Sequence, residues 1–238
     1  MDLRAVFFDA GETLLYPHPS FAEVFTEVLR AEGHSLDPAV VNRVVSAYSQ
    51  RFTDSLLTGE GRLWSTSPER SRKMWRFVYD HFLTEVGVPT NEHDRIFERL
   101  YARFTDLSTY RLHPDAVPVL ERLRKADLTL GLISNFEAWL ERLLEALEVG
   151  HYFDVTVISG VEGVEKPDPR IFRIALERAG VEAEHSVYVG DHPVFDVQAA
   201  SEAGMVAVLV DRRGRHADAD AIRITSLEDL PAAVGLNA

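Results

Sequence analysis

Three aspartates and one lysine carry the chemistry open to this sequence. Asp9 closes the apolar run RAVFF, residues 4–8. Asp191 follows a second run, Val187–Gly190, and Asp196 lies five residues beyond it. Lys166 stands just before Pro167-Asp168-Pro169, which reads as a helix start. Ser134 and Asn135 follow the run Leu128–Ile133. Carboxylates, a hydroxyl and an ammonium at such places suit a phosphoryl group and a hard cation. Together, Asp9, Asp191 and Asp196 would bring about three negative charges into one crevice, and such a group does not stay ionised without counter-charge. A Mg2+ ion and Lys166 would balance it, and Mg2+ prefers one or two carboxylates plus waters and substrate phosphate. Screened by the cation, Asp9 could attack phosphorus, and an aspartyl-phosphate would split one difficult displacement into two. Lys166, Ser134 with its neighbour Asn135, and the backbone N–H groups after Asp9 would hold the phosphoryl oxygens.

These residues can act together only if the chain gathers their segments. Residues 4–8 read as a buried strand ending in an acid. From Ser20 to about Phe104 the apolar spacing is helical. Ser20 with Glu23 makes a capping box, Asp37-Pro38 and Ser67-Pro68 open further helices, and Ile96, Phe97, Leu100, Tyr101 and Phe104 mark a fourth. After residue 112 helices alternate with strands: helix 117–126, strand Leu128–Ile133, helix 137–147, strand Val155–Ser159, helix Pro169–Ala179, strand Val187–Val189, a helix from about 194 to 203, and strand Val206–Val210. Such alternation predicts an α/β fold, a Rossmann-like three-layer core with a parallel sheet. The first strand must join that sheet. The expected organisation is therefore a core of residues 1–14 and 109–238, with an all-helical insertion at 15–108.

Composition narrows the function. The chain has 238 residues, 25 basic against 38 acidic, and a net charge of −13. That balance argues against nucleic acid or an anionic membrane as partner. No apolar run approaches the ~20 residues of a membrane span, and the N-terminus reads as structure rather than a leader, so the cytoplasm is the expected location. Cysteine is absent, which excludes a thiolate nucleophile or thiolate-ligated metal. Lysines number only three, Lys73, Lys125 and Lys166. Nothing in the sequence speaks to oligomeric state.

FFDAGETL (7–14), LISN (132–135), EKPDP (165–169) and VGDHPVFD (189–196) resemble, in order, the four motifs of the haloacid dehalogenase superfamily. The helical insertion resembles that superfamily's cap. The resemblance spans essentially the whole chain. It implies that Asp9 is the nucleophile, that Ser134 binds phosphate, that Lys166 is the motif lysine and that Asp191 and Asp196 are the acidic pair. It further implies Mg2+ held by Asp9, Asp191 and the backbone carbonyl of Gly11, with Asp196 behind them. One position departs from the phosphatase pattern Asp-x-Asp-x-Thr. Here the segment reads Asp9-Ala10-Gly11-Glu12-Thr13, and the aspartate that would protonate the leaving group is a glycine. Losing a positioned acid costs roughly 10²–10⁴ in rate. Glu12, His192 or His18 could substitute, or the substrate could carry a good leaving group. The leading expectation is a hydrolase of a small phosphorylated molecule. A dehalogenase- or phosphonatase-like hydrolase, the latter with Lys73 as a Schiff base, and a non-catalytic phosphoryl-ligand or partner-binding protein are the alternatives.

Overall fold

Residues 2–47 and 63–236 are described by a computed structural model. The chain divides into two units, one of residues 1–15 and 112–238, the other of 16–111. In the first, Ala5–Phe8 (β1) is wholly buried. The two passages of chain between the units, Leu15–Pro17 (β2) and Tyr110–Leu112 (β3), pair as a short ribbon. Next come Thr129–Ser134 (β4), Val155–Ile158 (β5), Ser186–Gly190 (β6), Val206–Val210 (β7) and Ile222–Ile224 (β8). Apart from the ribbon, the strands form one parallel six-stranded sheet in the order β5-β4-β1-β6-β7-β8, with helices between them. The fold is thus α/β and Rossmann-like.

The strands form because they are apolar on both faces, as parallel strands covered by helices must be. Phe7, Ile133, Val157 and Tyr188 share one core with Ile171, Phe172 and Ala175 of helix Pro169–Ala179. Phe7 lies in register with Gly131, where a Cβ would fall 2.3 Å from the phenylalanine ring. Only glycine lets that ring lie across β4.

Residues 16–111 contain helices Phe21–Ala31, 38–47, Pro68–Glu85 and His93–Phe104. Ser20 accepts the Glu23 amide at 3.2 Å and donates to the Glu23 carboxylate at 2.6 Å. Asp37 accepts the Ala39 amide, and Ser67 caps a helix with Pro68 in its first turn. Phe25, Leu29, Tyr79, Leu83, Ile96 and Leu100 form the buried centre. Among the described residues no helix is long and apolar enough to cross a membrane.

A partly buried ion pair joins distant segments of the sheet unit. Arg212 grips Asp115 with two N–H groups at 2.7 and 2.9 Å and donates to the Thr13 carbonyl at 2.9 Å. Ser226 and the Leu227 amide bind the same carboxylate. Burial pushes the Asp115 carboxyl up, but Arg212, Leu227 and Ser226 together outweigh it and hold it at about 2. The folded value is below the unfolded one, so this stabilisation is complete above pH ~4 and is lost as pH falls through about 2. Its size is on the order of 2 kcal/mol. Asp115→Asn should therefore lower unfolding free energy by about that much at pH 7, and the gap from the parent should close between pH ~4 and ~2; urea titrations at stepped pH measure both. His113 adds an earlier loss. Burial, with Arg212 beside it, lowers its imidazole to about 4, so protonation of the unfolded chain erodes stability from pH ~6.5 down to ~4.

Candidate active site

From the central β1 the chain proceeds to β4 and β5 on one side, then returns to build β6, β7 and β8 on the other. The strand order therefore switches at β1. In such sheets ligands bind beyond the carboxyl ends of the strands at the switch. Asp9 follows β1, Ser134 ends β4, and Asp191 follows the last residue of β6.

The side chains meet there. Asp9 Oδ1 accepts Ser134 Oγ at 3.0 Å and Lys166 Nζ at 2.8 Å. Lys166 Nζ also donates to Asp196 Oδ1 at 2.5 Å and to the Tyr188 hydroxyl at 2.8 Å. Lys166, Ser134 and Asp196 are each 3% exposed or less. Burial alone would lower the Lys166 pKa, but Asp196 and Asp9 outweigh it and raise it, so the side chain is an ammonium. Burial pushes the Asp9 carboxyl up; Lys166 draws it down and Asp196 pushes it up again.

Asn135 holds this lysine by its main chain. Its Oδ1 accepts the Lys166 amide at 2.7 Å and its Nδ2 donates to the Lys166 carbonyl at 2.8 Å. The amide expected beside a phosphoryl group thus has both ends committed to Lys166. Asp196 is placed by an unusual turn. Residues Pro193–Gln198 form a π-helical turn before the α-helical Ala199–Glu202, where the sequence predicts one continuous α-helix. Asp196 Oδ2 accepts the His192 amide at 2.9 Å, and its carboxylate presses on β6 so closely that a Cβ on Gly190 would lie 2.3 Å from Asp196 Cγ.

Asp9, Asp191 and Asp196 each offer an oxygen, all within 4.8 Å of one another. Only Asp9 and Asp196 bind Lys166. Among the described residues the Asp191 carboxylate makes no hydrogen bond or ion pair, and burial, then Asp196, Asp9 and Glu12, push its carboxyl well above the usual range. Three carboxylates thus share one ammonium, and one of them has no partner. A hard divalent cation fits that donor set.

Gly11 leaves open space: a Cβ built on it meets nothing within 4 Å. Glu12, in the left-handed region at φ 56°, has its carboxylate 3.1 Å from Arg213. His192 caps the π turn, its Nδ1 accepting the Val194 and Phe195 amides at 3.1 and 3.3 Å. The ring proton is therefore on Nε2, and burial lowers the imidazole's pKa. His18 belongs to the other unit, with its Nδ1 3.3 Å from the Tyr16 hydroxyl, and Lys73 is exposed on helix Pro68–Glu85. Tyr188 is the contact that sequence reasoning missed; a tyrosine inside the apolar run SVYVG gives no sign that its hydroxyl meets a lysine.

The model of the haloacid dehalogenase-like hydrolases matches residues 3–204. Haloacid dehalogenase-like hydrolase domain-containing protein 3 of Mus musculus is 31% identical over 212 residues, 88% of this chain and 82% of that protein. Phosphoserine phosphatase of Thermus thermophilus is 38% identical over 157 residues, covering 64% of this chain and 62% of that one. Among solved structures, a 2-haloacid dehalogenase from Pseudomonas syringae and a HAD phosphatase from Thermococcus onnurineus are each 26% identical. Each superposes with a TM-score of 0.61 over 98% of both chains.

Proposed function

This chain belongs to the haloacid dehalogenase-like hydrolases, and we propose that it is a Mg2+-dependent phosphatase of a small phosphorylated metabolite, acting through an aspartyl-phosphate at Asp9. The observation that carries this reading is the set of three carboxylates within 4.8 Å of one another, with Lys166 bonded to two of them. A phosphoserine phosphatase among the relatives supports a small phosphorylated substrate. Asp9, Asp191 and the Gly11 carbonyl would hold Mg2+, which when bound neutralises charge on the carboxylates and the phosphoryl group.

The protein's own groups do the rest. Ser134 and Lys166 both bond Asp9 Oδ1, which leaves Oδ2 as the attacking atom. A bond forms from Oδ2 to phosphorus as the bond to the leaving oxygen breaks. The leaving oxygen departs as an anion. Water then attacks the same phosphorus as the Oδ2–phosphorus bond breaks, returning the carboxylate and inorganic phosphate. The proton that water gives up reaches the departed oxyanion through solvent. The Ser134 hydroxyl and the one Lys166 N–H that Asp9 now holds would turn from Asp9 Oδ1 to the phosphoryl oxygens as the aspartyl-phosphate forms. Asp196 and Asn135 would orient Lys166. With Gly11 lacking an acid, substrates with good leaving groups, such as acyl or aryl phosphates, are favoured. The helical unit would be the cap that selects the substrate. A cysteine-free chain suits a reducing compartment, and we assign the protein to the cytoplasm.

Gly11 and the likeness to a 2-haloacid dehalogenase favour a second reading, attack of Asp9 on a carbon–halogen bond without metal. The unpaired Asp191 opposes it, since a metal-free site has no use for a crowded third carboxylate. One experiment separates the two. Aryl phosphate hydrolysis should require Mg2+ and fall by roughly 100-fold or more in EDTA, with no turnover of a 2-haloacid. Haloacid turnover persisting in EDTA would establish the second reading. No turnover at all, with phosphate binding intact, would mark a binding protein.

A further inference from the structure

We infer that Tyr188 is a positioning residue for Lys166: its hydroxyl takes one of the three ammonium N–H groups, and with Asp196 taking another, a single N–H is left aimed at Asp9. The rate arm of this inference rests on the phosphatase reading; its geometry does not.

Tyr188 lies in β6, wholly buried, with its ring edge-to-face on Phe172 at 5.2 Å. Phenylalanine would fill that place equally well, so the hydroxyl has to be explained by its bonds. It has one proton and two lone pairs. Two acceptors face that proton, the Ile133 carbonyl at 2.9 Å and Asp196 Oδ1 at 3.1 Å, while Lys166 Nζ, an ammonium with no lone pair, can only donate. The oxygen therefore meets Lys166 Nζ, at 2.8 Å, as an acceptor. Asp196 Oδ1 is the second acceptor for the ammonium, at 2.5 Å. Burial, with Asp196 and Asp9 nearby, pushes the phenol well above its ordinary value, so it keeps its proton. A lysine ammonium is a freely turning donor on a flexible stem. Here Tyr188 and Asp196, neither of which attacks phosphorus, fix two of its three directions. The same hydroxyl is within bonding distance of the carbonyl next to Ser134, so one atom links the end of β4 to the lysine.

Tyr188→Phe in the full chain tests this. With only three lysines, and Lys73 and Lys125 exposed, an ammonium signal in slow exchange with water after 15N-lysine labelling belongs to Lys166. In Tyr188→Phe that exchange should quicken about tenfold, and kcat for p-nitrophenyl phosphate should fall about tenfold with KM within about threefold. Phe172→Leu, which loosens the ring but leaves the hydroxyl, should lower Tm and leave kcat per folded molecule alone. Unchanged exchange and kcat in Tyr188→Phe would overturn the inference, whatever its Tm. So would a parent in which Lys166 exchanges as fast as the exposed lysines, a result that needs no variant. If the parent hydrolyses nothing, the phosphatase reading fails while the exchange measurement still decides the role of Tyr188.

Discussion

Asp9→Asn is expected to lose aryl phosphate hydrolysis by about 10⁴-fold or more, on the order of 5.5 kcal/mol of transition-state stabilisation, while folding as well as the parent. The two halves of this expectation have one cause. Asparagine keeps the shape of Asp9 and an oxygen at the Oδ1 position, so it still accepts Ser134 and Lys166. It removes the charge, and with it the proposed nucleophile. Asp9 is buried, and burial together with Asp196 pushes its carboxyl up against the pull of Lys166. Neutralising it relieves one of three crowded acids and leaves Lys166 its bond to Asp196. Thermal unfolding without Mg2+ should therefore show a Tm equal to or above the parent's. Steady-state kinetics on p-nitrophenyl phosphate measures the other half. A variant as active as the parent would remove Asp9 from the reaction.

Much of the core could be read from the sequence, because parallel strands buried on both faces leave plain apolar runs. Val206–Val210 lies where its run predicts, and the other long strands lie within a residue or two. The ribbon β2–β3 and strand β8 were not legible. Each has three residues, and β8 carries an exposed arginine. Helix Leu140–Ala146 starts three residues later than its pattern suggests, for a tertiary reason. Ser159 binds both the amide and the carbonyl of Phe136, and the Gly160 amide binds that carbonyl too, so the segment after Asn135 is held as a loop.

The site divides in the same way. Asp9, Ser134, Lys166, Asp191 and Asp196 could be listed because each ends a strand or adjoins a helix start. What they do to one another could not, since it depends on partners far along the chain. Asn135 meets a residue 31 positions away, and Glu12 turns to one 201 positions away. Neither pairing leaves a trace in local spacing.

Gly11→Asp should raise hydrolysis of an alkyl phosphate by roughly 10²-fold, up to about 10⁴, and hydrolysis of p-nitrophenyl phosphate much less. Space permits the change, since a Cβ at this position meets nothing within 4 Å and the backbone is not in the left-handed region. The new carboxyl would stand at the second acid position of the Asp-x-Asp-x-Thr pattern, two residues after Asp9. Neither Glu12, drawn to Arg213, nor His192, capping its own turn through Nδ1, occupies that place. An acid there serves the leaving oxygen, and the need for one grows as that oxygen becomes more basic. The parent should therefore show a steep dependence of rate on leaving-group pKa, and the variant a shallow one. The added carboxylate joins three others around one ammonium, so the variant's Tm should drop without Mg2+ and recover with it. Rates measured across a series of aryl and alkyl phosphates decide the matter. Equal slopes for the two proteins would mean that the glycine is not what limits this enzyme, and that the proton comes from a group elsewhere in the chain.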